Sequence, residues 1–207
     1  MPQDFWMFAF ASLMLNITPG NDMIYVATKS TNQGIWAGVI SALGIAVGCL
    51  VHLLAAVVGV SAIIAQSALA FEVIKYLGAA YLIYLGIKSI FSKTSRFELA
   101  QNESVSLNKI FWQGVITNTL NPKVALFFLA FLPQFIHPES NNYHWQLLIL
   151  GMWFNLSGTV VNILVAILFG RLGNWLVRFP KFSQIQEKIT GIVLIYLGIR
   201  IALLSKK

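Results

Sequence analysis

Long apolar runs separated by short polar interruptions make up almost all of the chain, and the runs have the length of membrane-crossing helices. Between Lys29 and Glu72 there is no Asp, Glu, Lys or Arg and no proline. The first polar break in that stretch is Ser61 to Ser67, so one helix is read from about Ile35 to Val60. The other apolar segments run from about Phe5 to Ala27, Leu69 to Phe91, Ile110 to Ile136, Tyr143 to Gly170 and Ile185 to Leu204. A hydrocarbon core about 30 Å thick takes about 20 helical residues, so the pattern predicts an all-α polytopic membrane protein with six transmembrane helices. The third and sixth have the shortest charge-free centres, Tyr76 to Ile87 and Ile189 to Ile199, flanked by Lys75, Lys88, Lys188 and Arg200. Long basic side chains can snorkel from such positions to the interface. A five-span form with one terminus inside is the alternative.

The polar run from Ser92 to Lys109 separates repeat one, about 4–91, from repeat two, about 110–205, within a single transmembrane domain covering 1–207. The halves resemble each other. Leu82-Ile83-Tyr84-Leu85-Gly86-Ile87 before Lys88 recurs as Leu194-Ile195-Tyr196-Leu197-Gly198-Ile199 before Arg200. Asn16-Ile17-Thr18-Pro19-Gly20-Asn21-Asp22 interrupts the first helix, and Asn118-Thr119-Leu120-Asn121-Pro122-Lys123 interrupts the fourth. Three spans per half is an odd number, so the second half runs in the opposite sense across the bilayer, as a 3+3 inverted repeat. Lys29, Lys88, Lys93, Arg96, Lys109, Arg171, Arg178, Lys181 and Lys188 fall on one side, against Lys75, Arg200, Lys206 and Lys207 on the other. The richer side is expected to be cytoplasmic, with the 92–109 linker inside and both termini outside.

Composition narrows the function. With 57% of residues hydrophobic and 10% charged, and a mean hydropathy of +0.75, six spans leave no room for a sizeable catalytic or DNA-binding module. The net charge of +7 therefore reads as the basic ends of membrane helices and not as a nucleic-acid surface. Cys49 is the lone cysteine and lies within an apolar run. Met1-Pro2-Gln3-Asp4 supplies no basic flank for a secretory signal, and no small-residue cleavage site ends the first segment. His52, His137 and His144 are too scattered to suggest a metal site. There is no Gly-x-Ser-x-Gly elbow, Walker lysine loop or dinucleotide glycine fingerprint. The expectation is a protein without cofactor or metal that is not an enzyme, and whose energy comes from a gradient.

The candidate chemistry lies at the two interruptions. Pro19 and Pro122 each remove a backbone donor and clash with the preceding turn, freeing polar groups at membrane depth. Ordinary proline kinks satisfied by neighbouring helices are the plain reading. Two breaks in matching places suggest instead two half-helix ends facing one site near the midplane. Asp22 follows the first break and Lys123 the second; interior charges are costly, so both are expected to face the interior and each other. A carboxylate suits an ammonium or a proton, an ammonium suits a carboxylate, and together they suit a zwitterion. In the plain alternative, Asp22 is solvated at the interface and Lys123 snorkels. Asn16, Asn118 and Asn121 add amides to the breaks, while Asn155 and Asn162, seven apart, share a face of the fifth helix. His52 is open to two readings, proton relay or packed core residue. Gly34, Gly38, Ser41, Gly44, Gly48, Ala55 and Gly59 give the second helix a small-residue packing face. Trp6, Trp112, Trp145 and Trp175 read as interfacial anchors.

The ordered set of Thr18-Pro19-Gly20 with Asp22, Gly44 and Gly48 before His52, Gly78-Ala79-Ala80-Tyr81-Leu82 with Leu85-Gly86, and Leu120-Asn121-Pro122-Lys123 through Phe131-Leu132-Pro133-Gln134-Phe135 resembles the lysine exporter family of amino-acid translocators. The likeness covers nearly the whole chain. It implies a small exporter of the bacterial inner membrane driven by the proton motive force, with an amino acid as substrate and protons as coupling ion. The family usually has a second proline where this chain has Asn21, so the first break differs and gains an amide. No second intramembrane acid accompanies Asp22, which favours a small neutral amino acid or derivative over lysine or arginine. Asn16, Thr18, Pro19, Gly20, Asn21, Asp22, His52, Asn118, Asn121, Pro122, Lys123 and Asn155 are the expected binding or coupling residues. The alternatives are an intramembrane enzyme with Asp22 and His52 as acid and base, an exporter of another solute or a metal ion, and a scaffold. A homodimer suits a protein of this size, although nothing in the sequence fixes one.

Overall fold

A computed structural model describes residues 4–66, 68–91, 105–136, 140, 142–176 and 180–203. Among these every regular element is helical. In order they are α1 (Phe5–Ile17), α2 (Asn21–Gln33), α3 (Ile35–Gln66), α4 (Ala68–Phe91), α5 (Leu107–Thr119), α6 (Pro122–Leu126), a π turn (Phe127–Phe131), a 3-10 turn (Leu132–Phe135), α7 (Tyr143–Leu176) and α8 (Pro180–Leu203). The linker expected at 92–109 lies outside the described residues up to 104, as do His137 and the C-terminal lysines.

Both breaks form where the prolines require them. Thr18 precedes Pro19 and takes an extended conformation, φ −62° and ψ 123°, because the proline ring disfavours the helical region for the residue before it. Its hydroxyl donates back to Met14 O at 2.8 Å, occupying one carbonyl that the ended helix leaves open. Asn121 precedes Pro122 and is likewise extended, φ −79° and ψ 108°; its side chain accepts from Lys123 N and caps α6, with proline at the first helical position. The chain bends by 45° between α5 and the segment that runs on to Phe135.

Two helical segments, Ile35–Gly59 and Tyr143–Gly173, are each long and apolar enough to cross a membrane. Leu107–Thr119 with Pro122–Phe135 forms a bent third. By length and composition the described residues thus give two or three clear spans, fewer than the six expected. The physical reason is plain for the others. α1 and α2 have 13 residues each, and α2 is largely polar. α4 carries a 2.7 Å ion pair between Glu72 and Lys75 near its start, and the apolar stretch of α8 is confined to Gly191–Leu203.

Glycines set the packing. On α3, a side chain at Gly44 would collide with the backbone of Phe111 and one at Gly48 with Val115 O, both on α5, while Gly38 seats against Ser30 and Ala166. Gly59 meets nothing within 4 Å and Ala55 is exposed, so the small-residue face ends at about Gly48. Gly34 serves differently: as the single residue between α2 and α3, its φ of +86° turns the chain from one into the other. In the α4 and α8 pair, Gly86 abuts Gly191 and Gly198 abuts Ala79. The contacts pair residues seven apart in opposite order, so the two Leu-Ile-Tyr-Leu-Gly-Ile segments pack antiparallel.

The largest core gathers Phe8, Phe127, Phe128, Phe131, Phe135 and Phe154, with the Phe127 ring 4.4 Å from Phe154 and 4.8 Å from Phe131. Outside, Leu54, Val58, Leu156, Val160, Leu164 and Ile192 are exposed, the inverse of what water tolerates and what a lipid surround accepts. Trp6, Trp112 and Trp145 are exposed near helix ends, as interfacial anchors require; the side chain of Trp175 lies outside the described set.

Candidate functional site

The two breaks meet. Counted from the helix ends, Asn16 and Asn118 each stand two residues before the residue that closes the first half-helix, and Asp22 and Lys123 each stand second in the half-helix that follows. Between them lies a cavity lined by Asn16, Thr18, Asp22, Asn118, Lys123 and Asn155, together with Asn162, Gly158, Thr159 and apolar Met23, Ile45, Cys49, Val124 and Phe154. It leaves about 30 Å³ for the centres of water molecules. One water needs at least about 10–15 Å³ of such space, so one or two waters fit and an amino acid does not. The site is too narrow for substrate in this conformation.

Hydrogen bonds link the two breaks to each other and to α7. Asn118 Nδ2 donates to Asp22 Oδ2 at 2.8 Å. Lys123 Nζ donates to Leu15 O and Thr18 O, both at 3.2 Å, at the carbonyl end of α1. That end of a helix carries partial negative charge and open acceptors, so an ammonium is the group suited to it. Asp22, in the first turn of α2, sits correspondingly at a positive end. Asn16 Nδ2 donates to Phe154 O and Ser157 Oγ, each at 3.1 Å, on α7. Gly158 lies beneath the Asn16 amide as Gly48 lies beneath Asn118: an added Cβ would come within 3.0 Å of Asn16 Oδ1 and within 2.9 Å of Asn118 Cβ.

Several buried polar atoms have no partner. Asp22 Oδ1 and Asn118 Oδ1 are both such acceptors, and Asn121 Nδ2 is an open donor. Leaving these atoms unsatisfied costs about 1–3 kcal/mol each, a cost that a ligand or bound water removes. The arrangement offers two unsatisfied acceptor oxygens beside one ammonium, within an otherwise apolar bundle.

Not every residue singled out in the sequence reaches the cavity. Asn21 is exposed and faces a separate groove between α2 and α5. His52 is buried, bonds Asn118 O through Nε2 at 2.9 Å and stacks on Phe128 at 6.2 Å; it supports the broken helix from behind. Pro19 and Pro122 shape the breaks, Gly20 lets Lys123 approach closely, and Asn121 caps α6. Asp22 and Lys123 share the cavity, yet among the described residues no ion pair joins them, because the ammonium is drawn to the α1 carbonyls. Sequence reasoning missed Gly158 and Thr159. Their signal was available: Asn155, Gly158, Thr159 and Asn162 follow the i, i+3, i+4, i+7 spacing of one helical face.

The profile of the LysE type translocator family matches residues 13–205. The chain is 36% identical over 200 residues to the uncharacterized membrane protein YrhP of Bacillus subtilis (strain 168), covering 92% of this chain and 94% of that one. It is 33% identical over 201 residues to the homoserine/homoserine lactone efflux protein of Salmonella typhimurium, covering 95% and 96%. It is 24% identical over 203 residues to the leucine efflux protein of Salmonella choleraesuis, covering 98% and 96%. No solved structure matches significantly. A match over almost the entire length, added to the paired broken helices and apolar exterior, establishes the chain as a membrane protein of the LysE type translocator family.

Proposed function

We propose that the protein is a multi-pass exporter of the bacterial inner membrane that moves a small neutral amino acid or derivative, of the homoserine, threonine or leucine kind, outward at the expense of the proton motive force. The observation that carries this reading is the narrow cavity that the orphan oxygens of Asp22 and Asn118 share with the Lys123 ammonium. The substrate ammonium replaces the missing donor at Asp22 and Asn118, and its carboxylate turns to Lys123. The efflux names of the relatives agree with that cargo.

A 3+3 inverted repeat of six spans is the arrangement this reading uses. It is supported by the equivalent positions of Asn16 and Asn118 and of Asp22 and Lys123, and by the antiparallel contact of α4 with α8. Lys29, Lys109 and Arg171 belong to one end of the bundle, since Gln33 accepts from Val105 N and Thr31 packs on Gly173. That end is taken as cytoplasmic. Rocking of one repeat against the other opens the cavity to alternate sides, and protonation of Asp22 couples export to the gradient by releasing the ammonium.

The test is efflux from cells preloaded with dipeptides, compared with empty vector across a panel of amino acids, with and without an uncoupler. Faster loss of one or a few neutral amino acids, abolished by the uncoupler, is the expected result. Correctly inserted protein that moves none of them overturns the reading.

A further inference from the structure

On the other side of the α2 and α5 seam from the narrow cavity lies a groove of about 530 Å³, lined by Asn21, Ile24, Tyr25, Thr28, Lys29, Gln113, Ile116 and Thr117. By the same measure it is far larger than the cavity. Neighbours in sequence divide between the two spaces: Asn21 faces the groove and Asp22 the cavity, Thr117 the groove and Asn118 the cavity. The hydrogen bond from Asn118 to Asp22 joins α5 to α2 on the cavity side of that seam. The seam is lightly built, because α2 packs chiefly on α7 and α3 while α5 packs chiefly on α3.

Lys29 marks the outer end of the groove, eight residues or about 12 Å along α2 from Asn21. Only 6% of its surface is exposed, and among the described residues no carboxylate or hydrogen-bond acceptor holds it. Its contact is the face of the Tyr25 ring, 5.6 Å away, and Lys109 in the first turn of α5 adds like charge. Its stem is packed away while the ammonium stays open to the groove, where an anion can reach it. Tyr25 is fixed by donating to Ile110 O at 2.8 Å, so the groove wall beside Lys29 is held in place. Gln113, Thr28 and Thr117 supply hydrogen-bonding groups between Lys29 and the seam.

We infer that this groove is the vestibule through which substrate reaches the cavity, that Lys29 holds its carboxylate there, and that the Asp22 and Asn118 hydrogen bond is the latch it passes. The inference rests on the amino-acid exporter reading and adds to it a second binding position and a path. Substrate seated with its carboxylate on Lys29 has its ammonium directed along the groove toward Asp22, so the two charges are taken up in order. The ligand chemistry is an anionic oxygen group; an anionic phospholipid headgroup shares it and is distinguished by the test.

The test uses the full chain in inside-out proteoliposomes, with an amino acid that the wild type transports. Lys29→Gln is expected to raise KM about tenfold, the loss of one charge-assisted contact, with the maximal rate little changed, and Lys29→Arg to restore KM. Thr117→Cys is expected to react with a maleimide added from the cytoplasmic side and to be protected by substrate, native Cys49 being buried. An unchanged KM in Lys29→Gln, or a fall in maximal rate that Lys29→Arg shares, overturns the inference while leaving the exporter intact. Absence of transport by the wild type overturns the exporter reading itself. If adding phosphatidylglycerol to neutral vesicles weakens substrate binding to the wild type but not to Lys29→Gln, a lipid occupies the groove and the vestibule assignment is overturned.

Discussion

The two helix breaks occupy the same place in their respective halves, yet they end in opposite charges. Break one closes α1 at Thr18 and restarts α2 with Asp22 in second position; break two closes α5 at Leu120 and restarts α6 with Lys123 in second position. Break one has a residue more between its halves, and its restarting helix is capped by Gly20 with no side-chain bond, where Asn121 caps break two. Consequently Lys123 reaches across past Gly20 to the α1 carbonyls, whereas Asp22 waits for Asn118 to reach to it. Two similarly placed breaks thus carry opposite charges, and these give the cavity a positive and a negative pole.

The comparison breaks most severely at its negative pole. Asp22→Asn keeps the shape but sets an amide against the Asn118 amide, and efflux is expected to fall about a hundredfold, the scale of one to two charged hydrogen bonds. Correct insertion is checked by cell-surface labelling of an appended tag, and normal efflux would remove Asp22 from the mechanism. Lys123→Met strips the ammonium from Leu15 O and Thr18 O, so it should lower stability by about 1–3 kcal/mol as well as transport. Thermal unfolding of the solubilised protein measures this, and an unchanged midpoint would show that Lys123 is not a cap for α1.

The glycines beneath the two asparagines sharpen the comparison at a smaller scale. Gly48→Ala places a methyl within 2.6 Å of Val115 O and should cost about 1–3 kcal/mol, seen as a lower unfolding temperature. Gly59→Ala, on the same helix with nothing within 4 Å, should change stability by no more than about 0.5 kcal/mol. Equal shifts in the two would mean that close packing on α5 does not explain Gly48. Smallest of all, Asn155→Ala removes an amide from the cavity wall and should raise the KM for substrate about threefold to tenfold, one neutral hydrogen bond; an unchanged KM would make that face of α7 a lining without contact to the substrate.

Much of this was legible along the chain. The prolines at 19 and 122 fixed both breaks, since a missing N–H and a ring clash act within a turn and need no partner. The apolar runs located the starts of α3, α5 and α7 to within three residues, while α3 and α7 each run six residues further than expected. Less legible were residues whose role depends on a neighbour distant in sequence. His52 is open to two readings along the chain, relay or packed core residue, and only the fold sets its ring against Asn118 O. Lys123 looks like the partner of Asp22 and instead holds α1. Gly158 shows only its place on a helical face until Asn16 lies over it.

The sequence by itself therefore determined where helices run, where they must stop, and which charges and amides stand at the breaks, because hydropathy and proline geometry are local properties of a chain. Only the tertiary structure decided which carbonyls receive Lys123, which oxygens of Asp22 and Asn118 remain open, and that Lys29 faces a groove while Asp22 faces a cavity. Those outcomes depend on distances of a few ångströms between helices about a hundred residues apart, and such distances are set by the close approach that small residues permit and by packing across the whole bundle.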